Sequence, residues 1–243
     1  MKAEGKNAVK EALTAGSEIS KILIQKESSD RALTAIAAMA KERGVRVTFV
    51  DKRALDRESV TGRHQGAIAY LADFAYCSAE DILAEGERKG SSRFILVLDG
   101  VEDPHNLGSI IRVAECMGVD GIVIGSRRAV GVNETVLRAS AGAAAHVKIA
   151  QVGNINDFIR TLKDNFVTVL ALDMDGANIA KTDLRGDIAI VVGGEGKGVS
   201  RLTRDLSDGI VSIPMFGQVS SLNASVATGM AVYECVRQRK SDK

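Results

Sequence analysis

The sequence has no tryptophan, few other aromatic residues and no long apolar run. Aromatic residues make up 4% of the 243 residues, whereas hydrophobic residues make up 45%. The core must therefore consist mainly of Ala, Val, Ile and Leu, which favours an α/β fold with buried parallel strands over a sandwich or barrel. No stretch approaches the roughly 18 apolar residues of a membrane span, and the first residues contain no apolar signal region. We expect a cytoplasmic protein that does not enter a membrane.

Cysteine is also scarce, and the three cysteines lie far apart in the chain. Cys77, Cys116 and Cys235 are odd in number and form no CxxC pair. This pattern argues against a disulfide framework and against a zinc site. We expect three reduced packing residues and no metal site.

The sequence also lacks an excess of positive or negative charge. The chain has 32 Lys and Arg against 31 Asp and Glu. This balance argues against polybasic binding of nucleic acid, so any such contact must be a local patch. Basic residues cluster in three places, each of which can equally be a solvated surface. These places are Lys41, Arg43 and Arg46; Lys52, Arg53, Arg57 and Arg63; and Arg127 with Arg128.

The pattern along the chain predicts two domains. We predict a small α/β domain at residues 1–76, a linker at 77–92 and a larger domain at 93–243. Within the linker, Ser78 and Asp81 form a capping-box pattern that opens a short helix. In the first domain the signals are helices at 7–15 and 32–42 and strands at 21–25, 45–50 and 67–72.

From Phe94 onward the pattern of strand, glycine-bearing loop, helix and strand is typical of a βαβ unit within a parallel sheet. The predicted elements are strands at 94–100, 121–125, 167–172, 188–193 and 210–213, a loop at 101–108, and helices at 109–118 and 222–239. Three loop segments follow strands, at Asp99–Arg112, Gly193–Val199 and Ile213–Asn223. Because ligands bind at the carboxyl ends of parallel strands, these loops predict one shared pocket.

The first segment combines a possible helix cap with a guanidinium. Asn106 can cap the following helix, Gly108 permits close backbone approach, and Arg112 lies about one turn into the helix. A helix start with a nearby guanidinium suits anionic or electron-rich ligand atoms. Spacing alone favours the simpler interpretation of a cap and a surface charge.

The second segment, GGEGKG, resembles nucleotide-binding loops only superficially. A Walker A loop requires glycine at position 191 and Ser or Thr at position 198, where the chain has Val191 and Gly198. The dinucleotide fingerprint fails too, because its third glycine falls on Val199. What remains is a glycine-lined loop that carries Glu195 and Lys197 and can wrap a small ligand with its backbone.

The third segment places Ser221 and Asn223 at the start of the last helix, where such residues usually serve as caps. A nucleophilic serine would need a base, yet His64, His105 and His146 are scattered and no G-x-S-x-G elbow exists. We therefore exclude hydrolase chemistry.

Taken together, the three segments resemble the three motifs of the SpoU family of RNA ribose 2′-O-methyltransferases, in order. They read LDGVEDPHNLGSIIR (98–112), VVGGEGKGVS (191–200) and IPMFGQVSSLNASVATG (213–229). The front part, with GKNAVKEAL (5–13) and RHQGAIAYL (63–71), resembles the L30e-like substrate-binding domain of members that modify large-subunit ribosomal RNA. The resemblance implies an α/β fold whose parallel-sheet catalytic domain contains a deep trefoil knot.

The resemblance also implies a cofactor, partners and site residues. S-adenosylmethionine would be held by Gly193, Gly194, Ile213, Met215 and Leu222, in a homodimer with the active site at the interface. The substrate would be a guanosine of 23S ribosomal RNA. The alternatives are tRNA ribose methylation, a ribosomal RNA methylase of antibiotic resistance, and a non-catalytic RNA-binding assembly factor.

The catalytic residues implied by the resemblance are Arg112, Asn106, Glu195, Ser221 and Asn223. Arg112 is either a proton acceptor or, since a guanidinium is ordinarily always charged, a clamp for phosphate and developing alkoxide charge. Asn106 would orient Arg112, Ser221 and Asn223 would fix the loop and nucleotide, and Glu195 would organise the interface or the substrate side.

Overall fold

The chain folds into two compact units, residues 1–74 and 75–243. The computed structural model describes residues 2–16, 18–72, 74–219 and 221–240, except for the side chains of residues 87–89. Each unit has its own sheet and its own hydrophobic core. The predicted α/β class and the presence of two domains are confirmed.

The first unit is a mixed four-stranded sheet with three helices. Its elements are β1 (Lys2–Glu4), α1 (Lys6–Thr14), β2 (Ile19–Gln25), α2 (Arg31–Glu42), β3 (Val47–Val50), α3 (Lys52–Glu58) and β4 (Ala67–Leu71). The strand order is β1-β4-β2-β3, with β4 antiparallel to both neighbours and β2 parallel to β3. Val9 and Leu13 of α1 and Ile36 of α2 are buried in its core, which explains the apolar spacing of both helices.

The second unit is built on six parallel strands in the order β10-β8-β9-β5-β6-β7. Its strands are β5 (Phe94–Asp99), β6 (Gly121–Gly125), β7 (Ile149–Val152), β8 (Thr168–Asn178), β9 (Ile188–Gly193) and β10 (Gly209–Ser212). Its helices are α4 (Ala79–Lys89), α5 (Pro104–Met117), α6 (Glu134–Ala139), α7 (Ile155–Asp164), α8 (Arg201–Leu206) and α9 (Ala224–Lys240), with 3-10 turns at Ala143–Ala145 and Ile179–Lys181. None of the helices in the described part of the chain has the length and hydrophobicity that a membrane crossing requires.

The central strands explain the apolar runs of the sequence. Every residue of β9 is buried, and so are the first five residues of β5, as expected for strands covered on both faces. The two strands pair so that Asp99 lies opposite Gly193. The loops that follow β5 and β9 therefore leave the sheet side by side.

Helix α5 begins earlier than predicted. The segment 101–108 was expected to be a loop, but the helix starts at Pro104 because the Asp103 carboxylate caps it, accepting from the His105 N–H at 2.7 Å. Asn106 is thus the third residue of the helix, and the prediction that it caps this helix is wrong. Gly108 allows the predicted close approach, since a Cβ there would lie 2.4 Å from the Cβ of Ala139 in the neighbouring helix.

The segment predicted as a linker contains α4. The capping box is confirmed, because Ser78 Oγ accepts from the Asp81 N–H at 3.1 Å while the Asp81 carboxylate accepts from the Ser78 N–H at 3.2 Å. Ile82 is fully buried in the core of the second unit. This segment is therefore a packed part of that unit.

The three cysteines are free but differ in environment. Cys235 is buried, Cys77 is half-buried and Cys116 is exposed. Burial raises the pKa of the Cys235 thiol to about 12. The expectation of three packing residues is thus wrong for Cys116, which lies on the solvent-facing side of α5.

The end of α9 is anchored to the connection between β8 and β9. The Gln238 amide donates to the Thr182 carbonyl at 3.1 Å and accepts from the Leu184 N–H at 3.0 Å. The Arg239 guanidinium also stacks on the Phe94 ring at 4.8 Å. It donates to the carbonyl oxygens of Ser92, Arg93, Leu184 and Gly186. The last helix is therefore held against residues 182–187.

Candidate active site

Three of the five predicted catalytic residues meet in one hydrogen-bonded cluster. The Asn106 amide donates to Glu195 Oε1 at 3.0 Å. The Asn223 amide donates to the same Glu195 oxygen at 2.7 Å and to Asn106 Oδ1 at 2.9 Å. We refer to Asn106, Glu195 and Asn223 as the Asn–Glu–Asn ring. It joins the three segments that the sequence placed at the carboxyl ends of strands.

Asn223 has a second role in capping α9. Its Oδ1 accepts from the backbone N–H groups of Ser225 at 2.9 Å and Val226 at 3.3 Å, which confirms the predicted cap. Because the amide oxygen faces the helix, the amide nitrogen is left to donate into the ring. One side chain thus fixes both the start of the helix and its contact with the other two segments.

Arg112 and Ser221 stand outside this ring. Both are exposed, and within the described residues neither side chain has a hydrogen-bond partner. Arg112 follows Asn106 by six residues, which places the two side chains about 120° apart around α5. The Asn106 side chain bonds to Glu195 and Asn223, and no hydrogen bond to Arg112 supports its predicted role in orienting the guanidinium. The Arg112 guanidinium is therefore open to an incoming anionic group.

The glycines of the second segment are required by close backbone packing. A Cβ on Gly193 would lie 2.0 Å from the carbonyl carbon of Gly198, and one on Gly194 would lie 2.0 Å from the carbonyl oxygen of Gly100. Backbone atoms cannot move aside as a flexible side chain can, so a larger residue at either position would clash. This packing fixes the loop that carries Glu195.

Asp99 ties down both ends of the same loop. Its carbonyl oxygen accepts from the Gly194 N–H at 3.0 Å, and its carboxylate accepts from the Ser200 N–H at 2.9 Å. Asp99 lies in the first segment, but sequence reasoning assigned it no role, because a strand-end carboxylate gives no sign of a partner 101 residues away. Both ends of the loop between β9 and α8 are thus hydrogen-bonded to the last residue of β5.

A pocket of about 370 Å³ lies along the third segment. Of the five predicted cofactor residues, Ile213, Met215 and Leu222 line it, together with Ser221 and Met230 of α9. Gly193 and Gly194 are not among its lining residues in the described part of the chain. Ser220, which belongs to the third motif, lies outside the described residues.

The outer face of α9 is apolar and exposed. Val226, Met230 and Tyr233 are 50%, 47% and 58% exposed, and they line a second pocket of about 460 Å³ next to the first. Their spacing of four and three residues places them on one stripe. We refer to these three residues as the α9 stripe. The opposite face packs inside the unit through Ala231, Val232 and Cys235, so apolar side chains lie on two faces of the helix, whose last turn is polar.

Two family models match the two units of the chain. Residues 93–233 match the SpoU rRNA methylase family, and residues 2–77 match a domain described as RNA 2′-O ribose methyltransferase substrate binding. The chain is 39% identical over 240 residues to YacO of Bacillus subtilis (strain 168), covering 97% of this chain and 94% of that protein. The name of YacO places it in the TrmH family of tRNA/rRNA methyltransferases.

Two solved structures differ in how much of the chain they share. The AdoMet-bound rRNA methyltransferase from Sinorhizobium meliloti covers 97% of this chain and 86% of its own, with 26% identity and a TM-score of 0.66. The A. aeolicus TrmH/SpoU tRNA modifying enzyme covers 63% of this chain and 79% of its own, with 29% identity and a TM-score of 0.57. The family match over the second unit, with the near full-length relative, establishes that the chain belongs to the SpoU rRNA methylase family.

Proposed function

We propose that this protein transfers a methyl group from S-adenosylmethionine to the 2′-hydroxyl of a ribose in RNA. The observation that carries the proposal is the Asn–Glu–Asn ring, which joins the three family motifs beside the pocket of the third segment. In the S. meliloti relative, AdoMet is bound. The ring gives each motif a fixed position relative to the other two, as methyl transfer requires.

The pocket fits the cofactor in size and chemistry. Its volume of about 370 Å³ lies in the range of small-molecule sites, and Ile213, Met215 and Leu222 offer apolar surface and backbone groups. We assign these three residues, with Gly193 and Gly194 as backbone contacts, to the cofactor. When bound, S-adenosylmethionine supplies an electrophilic methyl group on its sulfonium.

We propose different roles for the Asn–Glu–Asn ring and for Arg112. We assign to Asn106, Glu195 and Asn223 the positioning of the three loops, and to Ser221 a contact with the substrate or cofactor from the pocket wall. Arg112 binds a phosphate or stabilises the charge that develops on the attacking 2′-oxygen, since its guanidinium is exposed and without a protein partner among the described residues.

Asp99 is expected to act through the loop it holds. Asp99→Ala removes the acceptor for the Ser200 N–H, so we expect kcat/KM for methyl transfer to fall about tenfold as Glu195 loses its fixed position. Asp99→Asn keeps a carbonyl acceptor and should stay within about threefold of wild type. Steady-state rates with thermal melting as a check on folding test this. Equal losses in both variants would contradict the role of the hydrogen bond.

We further propose a homodimer that covers the α9 stripe. One face of α9 packs inside the unit, whereas Val226, Met230 and Tyr233 form an exposed apolar patch of the kind that marks a protein–protein contact. Because Met230 also lines the cofactor pocket, the partner subunit would complete the active site. Sedimentation equilibrium is expected to give twice the 25.7 kDa chain mass. A single-chain mass at micromolar concentration would contradict the dimer.

The knot and the L30e-like first domain remain proposals of the family resemblance. The knot is supported by the path of the chain, because β10 lies at the sheet edge beside β8, whereas α9 ends against residues 182–187 between β8 and β9. The L30e-like assignment is supported by the mixed α/β sheet of the first unit and by its match to a substrate-binding domain. We retain 1–76 and 93–243 as the bounds of the L30e-like and methyltransferase domains, although residues 77–92 between them pack as part of the second unit.

For the substrate, we propose a guanosine of 23S ribosomal RNA. The first unit is matched in the S. meliloti rRNA methyltransferase, whereas the A. aeolicus tRNA modifying enzyme covers only 63% of the chain. The alternative is tRNA, which the name of YacO leaves open. Transfer of labelled methyl groups to undermethylated 23S RNA and to tRNA distinguishes them. We expect label in 23S RNA. Label in tRNA alone would contradict this and make tRNA the proposed substrate.

A further inference from the structure

The loop between β6 and α6 carries two adjacent arginines that the proposed chemistry does not use. Arg127 and Arg128 stand in the segment GSRRAVG, residues 125–131. Both are exposed, and among the residues that the structure describes neither has a hydrogen-bond or ion-pair partner. Some other exposed arginines of the second unit are paired, such as Arg138 with Glu134 and Arg160 with Asp157. These two guanidiniums are therefore available to bind an external anion.

The loop leaves the sheet at the same edge as the active site. Strand β6 is the parallel neighbour of β5, with Ile124 opposite Leu98, so the two following loops emerge side by side. The Val130 N–H donates to the Val101 carbonyl at 2.9 Å, which ties the arginine loop to the first motif. The arginines are thus held next to the segment that continues into Asn106 and Arg112.

The backbone of the loop is fixed in an unusual conformation. Arg128 has a φ of 52°, in the left-handed region that a residue with a side chain rarely adopts. After the loop segment 125–131, the Val132 N–H donates to the Tyr76 hydroxyl at 2.8 Å. Such a conformation persists where the surroundings hold it, and it often marks a functional position. A held loop presents its cations in a defined place.

The arginine loop itself carries only positive charge. The facing loop contains two exposed acids, Glu102 and Asp103, of which Asp103 also caps α5. The arginine loop contains no acid at residues 126–133, and among the described residues neither guanidinium forms an ion pair with Glu102 or Asp103. Guanidinium groups bind phosphate oxygens in bidentate fashion, and a chain of net charge +1 must bind RNA through such local patches.

We propose that Arg127 and Arg128 bind backbone phosphates of the RNA next to the target ribose. This inference rests on the proposed function and adds to it the surface of the second unit that holds the substrate. The arginines act in binding and not in the chemical step. Their loss should therefore weaken RNA affinity while leaving the cofactor site intact.

The test compares the double variant Arg127→Ala/Arg128→Ala with wild type and with Arg160→Ala, an exposed arginine of α7 that serves as a control. RNA affinity is measured without cofactor turnover, by fluorescence anisotropy over a range of salt concentrations. We expect Kd for substrate RNA to rise about tenfold near 0.15 M salt, and the slope of log Kd against log salt to fall by about 1.4 to 1.8. At saturating RNA, kcat should stay within about twofold of wild type.

Two results would overturn the inference. One is an RNA affinity and salt slope equal to those of Arg160→Ala; the other is a loss of kcat with unchanged RNA affinity. Thermal melting and S-adenosylmethionine affinity, both expected to match wild type, show whether the variant is folded. Because RNA binding is measured apart from methylation, a wild-type protein that binds RNA without methylating it would defeat the proposed function and leave this binding test valid.

Discussion

Replacement of Arg112 by alanine is expected to lower kcat for methyl transfer by about 10²- to 10³-fold. The guanidinium is exposed at the edge of the site and has no partner among the described residues, so its charge is free to act on the substrate. Removal of one group that stabilises developing charge typically has an effect of this size. Single-turnover rates with saturating RNA and cofactor measure the effect on the chemical step.

Two further measurements, the affinity for S-adenosylmethionine and the rate of an Arg112→Lys variant, distinguish the possible roles of Arg112. S-adenosylmethionine affinity should stay within about twofold of wild type, because Arg112 does not line the pocket of about 370 Å³ in the described part of the chain. Arg112→Lys keeps the charge and should recover part of the rate if charge is what matters. A fully active Arg112→Ala variant would remove Arg112 from the mechanism. An inactive Arg112→Ala variant that still fulfils the protein's cellular role would favour the non-catalytic assembly factor.

Replacement of Asn223 by aspartate is expected to have the second-largest effect. The new carboxylate still caps α9, since it accepts from the Ser225 and Val226 N–H groups. In place of the donor it presents an oxygen to Glu195 Oε1, where the present separation is 2.7 Å. Two carboxylates at this distance repel each other, so the ring should open and kcat/KM should fall about a hundredfold.

The control is a second substitution, Glu195→Gln, which supplies a hydrogen-bond donor from position 195 instead of position 223. In the double variant Asn223→Asp/Glu195→Gln, the new amide of residue 195 can donate to the new carboxylate, so activity should recover at least tenfold over the single variant. Thermal melting checks that α9 keeps its cap in both. A double variant no more active than Asn223→Asp would show that the ring is not what positions the motifs.

The central strands of the second unit are predictable from sequence because they are buried on both faces. Strands β6 and β9 have the predicted bounds, since their apolar runs end at glycines that also end the strands. Helix α7 is equally predictable in principle: Ile155, Phe158, Ile159 and Leu162 repeat with helical spacing, and all four are buried. These elements depend on local pattern alone.

Other elements depend on distant partners and are not predictable in this way. Strand β1 has only three residues and exists because it pairs with β4, more than sixty residues later. The start of α5 differs from the prediction because Pro104 and Gly108 are typical of a loop, whereas the Asp103–Pro104 pair in fact starts the helix. Long-range pairing and competing local signals thus account for the differences.

The site shows the same division. The three glycine-bearing loops were predicted to converge, and the ring shows that they do. The partners within the ring were not predictable, because Asn106 and Asn223 are 117 residues apart and either one is an ordinary cap by local criteria. The same holds for Asp99. Sequence identifies the chemical groups, and the sheet register decides which of them touch.

The most direct test of the account is to identify the methylated atom. RNA incubated with the protein and isotopically labelled S-adenosylmethionine is digested to nucleosides and analysed by mass spectrometry, with Arg112→Ala in parallel. The account predicts label on the ribose 2′-oxygen of one nucleoside with wild type and a loss of at least about a hundredfold with the variant. Label on a base, or no label in any RNA although the cofactor binds, would contradict it.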